Sequence, residues 1–295
     1  MGVDKSNLQG VVGGFYLDIV SVGTANIDFI LKVPSFVEPD TEMNIEQLHI
    51  SPGGSALNFA VHISRNGFRA GIIAMVGSDY FGSIIYDRLK DEGVDVGCVS
   101  RIHERTGMTF ISVDESGRRS IYSFIGANKK LRIGKKEIDC ISRAGLIHLG
   151  GTYLEIAFPT AEHANILSFA PGALLAVYGM STLRPILKNT DVLFLNEHEL
   201  KLLTGESHRE GVNLLIDEGV PLIVVTKGSK GSEVYTERDV VRYSVRGVKA
   251  LDTTGAGDAF AAGFIASWIK GESLNSCLRR GHECALKNLK RLGAI

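Results

Sequence analysis

Residues 252–264, Asp-Thr-Thr-Gly-Ala-Gly-Asp-Ala-Phe-Ala-Ala-Gly-Phe, constrain this chain more than any other stretch. They read as an acidic strand end, a tight turn of small residues, and a helix that opens on Asp258 and runs through alanines and apolar residues to Lys270. A helix start leaves backbone N–H groups unpaired and carries roughly half a positive charge, so Gly255, Ala256 and Gly257 can bring bare amides against an anion. Asp258 stands at the lip of that positive pocket. The combination suits phosphoryl transfer: the amides take the charge of the group in transit, and the carboxylate accepts the proton of an attacking hydroxyl. The glycines by themselves serve equally well in a plain strand-to-helix turn, with Asp258 complementing the helix dipole. The second acid, Asp252, tips the reading toward chemistry.

Upstream, short apolar runs ending in glycine or polar residues alternate with helical patterns, the plan of a parallel α/β sheet whose ligands gather at the carboxyl ends of the strands. Residues 18–23 form the first such strand and lead into a polar turn at 24–28, where Asn26 and Asp28 are either ligand contacts or local hydrogen-bonders. Residues 29–33 and 43–50 read as two more strands, and Gly53-Gly54 opens a helix with Asn58 in its first turn, as a local cap or a ligand contact. Residues 107–124 alternate around Asp114-Glu115-Ser116-Gly117, a hairpin. With 43–50 it makes a small antiparallel patch, a lid or an edge extension of the main sheet. The βα rhythm resumes with a strand at 145–151, a helix near 160–167 and a strand at 191–195 that ends in Asn196-Glu197-His198-Glu199. Asn196 and Glu199 fall on one side of a helix start, as holders of waters around magnesium or as a reciprocal cap. The strand at 221–226 precedes Lys227-Gly228, a hairpin covers 231–245, and an amphipathic helix covers 274–292.

Composition narrows the classes. With 295 residues, 44% of them apolar, the chain can bury a large core, and its formal charge of -1 offers no basic surface for nucleic acid or an anionic membrane. The four cysteines lack C-x-x-C spacing and the histidines form no metal pattern, so neither a disulfide scaffold nor structural zinc is expected. No run approaches the length of a membrane span and the first residues lack signal-peptide order, which together suggest a cytoplasmic protein. Walker A and dinucleotide-binding glycine patterns are both missing from the sequence.

Four features together resemble the PfkB/ribokinase family of sugar and nucleoside kinases: Gly53-Gly54-Ser55-Ala56-Leu57-Asn58, Asn196-x-x-Glu199, Thr226-Lys227-Gly228, and residues 252–260. The resemblance spans about residues 17–293 and rests most on the last of these motifs. It implies one kinase domain over 1–295, a ribokinase-like three-layer αβα sandwich with a small β-sheet lid drawn from 29–50 and 107–125. It also implies transfer of the γ-phosphate of ATP, with Mg2+, to a hydroxymethyl group of a sugar or nucleoside. Asp258 would be the base and Gly255, Ala256 and Gly257 the anion hole. Asn26, Asp28, Gly53, Gly54 and Asn58 would line the sugar pocket, with Phe110 on the lid available for stacking. Asn196, Thr226, Lys227, Gly228, Gly255 and Gly257 would lie along the nucleotide. Asn196 and Glu199 would hold magnesium through water, and Asp252 would belong to a monovalent-cation loop taking K+.

Two departures from the family's pattern bear on substrate and metal. Ser55 replaces the lysine usual in ribokinases, and Ala170-Pro171-Gly172 replaces a frequent Asp-Pro-Gly. The first makes the pocket neutral and suited to an uncharged substrate; the second removes a carboxylate from the nucleotide side. A non-catalytic sugar- or nucleoside-binding regulator on the same fold is the alternative. The edges of the lid sheet suggest a homodimer.

Overall fold

A computed structural model describes residues 11, 14–245, 252–290 and 293–295. Thirteen strands among them form two sheets. In chain order they are β1 (Leu17–Gly23), β2 (Asn26–Lys32), β3 (Gln47–Gly53), β4 (Ala70–Gly77), β5 (Val99–Ile102), β6 (Gly107–Val113), β7 (Arg119–Phe124), β8 (Ala144–Gly150), β9 (Leu167–Ala170), β10 (Val192–Asn196), β11 (Ile223–Thr226), β12 (Ser232–Tyr235) and β13 (Val240–Tyr243). The large sheet has the order β13-β12-β11-β10-β9-β8-β1-β4-β5 and the small one β3-β2-β6-β7. From β11 to β5 neighbouring strands are parallel, whereas β12 and β13 extend the sheet antiparallel.

β1 and β8 are buried along their whole length, as a strand covered by helices on both faces must be. Alternate residues feed two cores. Ile19 and Leu146 join one with the helices Ser55–Arg65, Ala256–Ile269 and Leu274–Asn288; Val20, Ile147 and Leu149 join the other on the opposite face. The helix Ala256–Ile269 is buried from Ala259 onward on every side, which explains why its sequence shows no polar stripe. Chain order reverses at β1, which has β8 on one side and β4 on the other. Such a switch point opens a crevice at the carboxyl ends of the two strands.

Several expected boundaries move. Asn26 and Asp28 lie inside β2, not in a turn, because Ile27 and Ile30 are buried and pull the segment into the small sheet. β3 begins at Gln47 rather than at Met43, where its pairing with β2 ends, and it runs on through Gly53. The double glycine is therefore split: Gly53 closes a strand, and Gly54, with φ +96°, precedes the helix. The helix expected near 160–167 runs instead over Leu154–His163 with Pro159 inside it, and Leu167 and Phe169 are buried strand residues. The last long helix stops at Asn288, and residues 291 and 292 of the expected element lie outside the described residues. Cys277 and Cys284 are buried on that helix. No helix among the described residues is long and apolar enough to cross a membrane.

Candidate active site

The crevice is built by close backbone approach. Gly23 and Gly150 are register partners at the ends of β1 and β8, and a Cβ on Gly23 would fall 2.0 Å from the Gly150 carbonyl oxygen. Gly151, at φ +58°, would carry a Cβ 2.6 Å from that of Ser55. Only glycine lets the helix Ser55–Arg65 settle this low over the strands. Its first turn then meets the first turn of Ala256–Ile269. Ser55 Oγ donates to Asp258 Oδ1 at 2.5 Å and Asn58 Nδ2 donates to Asp258 Oδ2 at 2.9 Å. Asn58 is buried, and its own Oδ1 is left without a protein partner.

Burial pushes the Asp258 carboxyl up to about 6; the Ser55 and Asn58 hydrogen bonds oppose the rise and the Glu199 charge adds to it. Asp28 is pushed higher, to about 7, by burial first, with the charges of Asp258 and Asp252 adding and a hydrogen bond from Thr109 opposing. Asp28 thus lies within the field of Asp258. A Cβ on Gly53 would fall 2.0 Å from Asp28 Oδ2, so a bare residue is needed there for the carboxylate to keep its place. Asn26 Oδ1 accepts from Asn128 Nδ2 at 2.8 Å, and Asn128 also accepts from the Ala25 amide and donates to the Ile125 carbonyl. Asn128 therefore ties the start of β2 to the segment that follows β7.

At the glycine-rich turn, Gly255 adopts the left-handed φ of +71°, and a Cβ there would clash with Ala294 at 2.5 Å. The Ala256 amide reaches the Thr253 carbonyl at 3.3 Å, while the space beside Gly257 is open. Asp252 holds the turn together: its Oδ1 accepts from the amide and hydroxyl of Thr254, both at 2.8 Å, and its Oδ2 accepts from the Gly293 amide at 3.0 Å.

On the other side of the crevice, Asn196 and Thr226 are register partners at the ends of β10 and β11. Asn196 and Glu199 form a reciprocal cap, Asn196 Oδ1 accepting from the Glu199 amide and Glu199 Oε2 from the Asn196 amide, each at 2.9 Å. Burial raises the Glu199 pKa, and the Asn196 amide opposes the rise. Gly228, at φ +56°, opens a short 3-10 turn. Lys227 Nζ is paired with Glu233 at 2.6 Å, and His208 and Arg242 share the same carboxylate.

The geometry thus gathers Ser55, Asn58, Asp258, Asp28, Gly53 and Gly54 around one end of the crevice, with Glu199 close enough for its charge to reach Asp258. Phe110 stands apart. It pairs with Phe29, and so lies on the lid face opposite Asp28 and Thr109, stacked on Phe29 with ring centroids 5.0 Å apart. The Ser55 contact to Asp258, Asn128 and Thr109 are what sequence reasoning missed. A serine directly after a double glycine and ahead of Asn58 was the available signal for the first; the other two carry none, because only the fold brings them in.

The parallel sheet with its switch-point crevice, the lid, and an aspartate held at a glycine-rich helix start define an α/β kinase. The chain belongs to the pfkB family of carbohydrate kinases, whose profile matches residues 17–295. It is 30% identical over 267 residues to a nucleoside kinase of Methanothermobacter thermautotrophicus, covering 89% of this chain and 86% of that one. It is also 34% identical over 283 residues to an ATP-dependent ribose-1-phosphate kinase of Halopiger xanaduensis, covering 94% and 93%. The crystal structure of the nucleoside kinase of Methanocaldococcus jannaschii superposes with a TM-score of 0.81 at 28% identity, over 94% of this chain and 93% of the other. The large mixed sheet and the second, smaller sheet are the ribokinase-like fold.

Proposed function

We propose that this kinase transfers the γ-phosphate of ATP to a hydroxymethyl group of a small uncharged sugar or nucleoside, with Asp258 as the general base. The observation that carries the reading is the Asp258 carboxylate itself: both oxygens are held, by Ser55 and Asn58, and its pKa of about 6 leaves it ionised at neutral pH yet basic enough to take a proton. The substrate hydroxyl gives its proton to Asp258 as its oxygen bonds to the γ-phosphorus, and the bond to the β-phosphate oxygen breaks to release ADP. Gly255, Ala256 and Gly257 are the candidate cradle for the charge on the transferring group. Asn26, Asp28, Gly53, Gly54 and Asn58 are the candidate sugar contacts, the unpartnered Asn58 Oδ1 being an acceptor for a substrate hydroxyl. Thr226, Lys227 and Gly228 are the candidate nucleotide side, with Lys227 entering through its backbone because its ammonium is committed to Glu233.

Among the described residues no three His, Cys, Asp or Glu side chains gather into a metal cage. Magnesium usually keeps several waters and binds substrate phosphates, and Asn196 and Glu199 would hold it through such waters. When bound, the ion neutralises phosphate charge. Asp252 accepts from three donors, which leaves about one of its four acceptor sites for the K+ expected of that loop, and no step depends on the ion.

The acids Asp28, Asp258, Asp252 and Glu199, with Ser55 in place of a cation, favour a neutral substrate over a phosphorylated one. The Halopiger relative, named for a sugar phosphate, supplies the contrary reading. Measuring ATP consumption with free sugars, nucleosides and sugar phosphates decides between them: turnover confined to sugar phosphates sinks the neutral-substrate assignment. No turnover with any of them would favour a ligand-binding regulator on the same fold.

A further inference from the structure

Ser21 of β1, His148 of β8 and Ser168 of β9 are register partners, so they form a row across the middle of the large sheet. All three are fully buried on the face covered by the helix Ser55–Arg65. A parallel sheet centre ordinarily carries apolar side chains, and a buried polar atom without a partner is costly. The ring is nevertheless held firmly. His148 Nδ1 meets Ser168 Oγ at 2.9 Å, and the imidazole stacks on Phe59 with centroids 3.6 Å apart and planes within 5°. His148 Nε2 and Ser21 Oγ find no hydrogen-bonding group of the protein.

Gly150 lies two residues further along the same face of β8. A Cβ built on it would stand 3.1 Å from His148 Nε2 and 3.3 Å from Ser55 Oγ. The two polar atoms therefore face each other across a residue that has no side chain, just as Phe59, one turn after Ser55, faces the ring itself. Ser55 is also the donor to Asp258 Oδ1.

We propose that His148 is a positioning residue for the phosphoryl-transfer base: its Nε2 and the Ser55 hydroxyl share one ordered water over Gly150, and this fixes the Ser55 rotamer that orients Asp258. The inference rests on the reading of Asp258 as the base. A buried water needs two to four polar partners, and His148 Nε2 and Ser55 Oγ are two. Burial pushes the His148 pKa down to about 3, so the ring is neutral wherever the enzyme works and acts as a fixed dipole. The charge that raises Asp258 is Glu199, while Asp258 in turn raises the neighbouring Asp28; His148 adds no charge to them.

The test is His148→Phe, which keeps a ring against Phe59 and removes both nitrogens. Expected are a melting temperature within a few degrees of wild type, an acceptor KM unchanged within about twofold, a kcat lowered about threefold and no further than in Ser55→Ala, and an acid limb of the pH–rate profile moved upward by about half a unit. The double variant with Ser55→Ala should be no slower than Ser55→Ala alone. A wild-type kcat and pH profile in folded His148→Phe, or additive losses in the double variant, overturn the proposal. Should His148→Phe not fold, a high-resolution crystal structure of the wild-type chain decides, by the presence or absence of a water between His148 Nε2 and Ser55 Oγ. Failure of the base reading is distinct: it would appear as wild-type turnover in Asp258→Asn.

Discussion

Ser55 Oγ donates to Asp258 Oδ1 across 203 residues of sequence, and the bond joins the first turns of two helices that meet over the β1–β8 crevice. Removing the two partners has different consequences. Asp258→Asn should leave acceptor and ATP binding nearly unchanged while lowering kcat by about 10²–10⁴. Steady-state kinetics with binding calorimetry check this, and a kcat near wild type would falsify the base assignment.

Ser55→Ala should act on the titration of the base more than on binding. The Ser55 hydrogen bond opposes the burial that raises Asp258, so its loss lets the pKa climb above about 6. The acid limb of kcat/KM then moves to higher pH, with kcat at pH 8 reduced only a few-fold. An acid limb in the wild-type position would show that the hydroxyl does not tune the carboxylate.

Stability and activity should respond to pH in opposite directions. Asp28 and Asp258 titrate near 7 and 6 in the folded chain, above their ordinary value of 3.8, so the folded state holds protons that the unfolded state has released. Their contribution favours folding fully below about pH 4 and is lost as pH rises through 6 and 7. Asp28→Asn removes the larger share. It should melt a few degrees above wild type at pH 8, with the difference closing toward pH 4, as scanning calorimetry can record. A difference that does not change with pH would mean Asp28 keeps an ordinary pKa.

Glu199 has two separable duties. In Glu199→Gln the amide oxygen still caps the Asn196 N–H, so stability should hold while the requirement for Mg2+ rises several-fold. Glu199→Ala should lose the magnesium effect and about 1 kcal/mol of stability as well. Titrating activity with Mg2+ alongside melting curves separates the two; an unchanged Mg2+ requirement in both variants would confine Glu199 to the cap.

The outer lid predicts self-association. Ile50 and Phe110 are both register partners of Phe29, and Tyr122 of Phe110, so these three fall on one face, with Leu48 and Phe124 nearby, and all five are substantially exposed. β3 and β7 also leave unpaired edges. Sedimentation velocity should show a dimer that Tyr122→Glu with Phe124→Glu dissociates. A wild-type monomer at every concentration tested would remove the lid as an interface.

Much of the fold was legible because its signals are local. An apolar run closed by glycine needs no partner to read as a buried strand, and β1, β8 and β10 fell where expected. The hairpin of β6 and β7 was set by the Asp114–Gly117 turn, whose amide and carbonyl close it at 2.9 Å. The boundaries that moved, at Asn26, Gln47 and Leu154, are those where pairing or packing with a distant segment outweighs local preference. Phe110 illustrates the same limit at the site. Its residue type suited a stacking wall, but strand alternation and the partner Phe29 decide which face of the lid it occupies.

The sequence by itself determined the chemistry on offer: an acid at a glycine-rich helix start, a second acid two residues beyond Asn26, and an asparagine–glutamate pair with cap spacing. These follow from residue type and short spacing, which act within a turn or two of chain. Only the tertiary structure decided what surrounds Asp258. Ser55 and Asn58 approach it from some 200 residues away, Asp28 enters its field through the lid, and His148 lies beneath Ser55 because Gly150 has no side chain. Burial and long-range hydrogen bonds set the pKa and orientation of a carboxylate, and both exist only once the two helices and the sheet have packed.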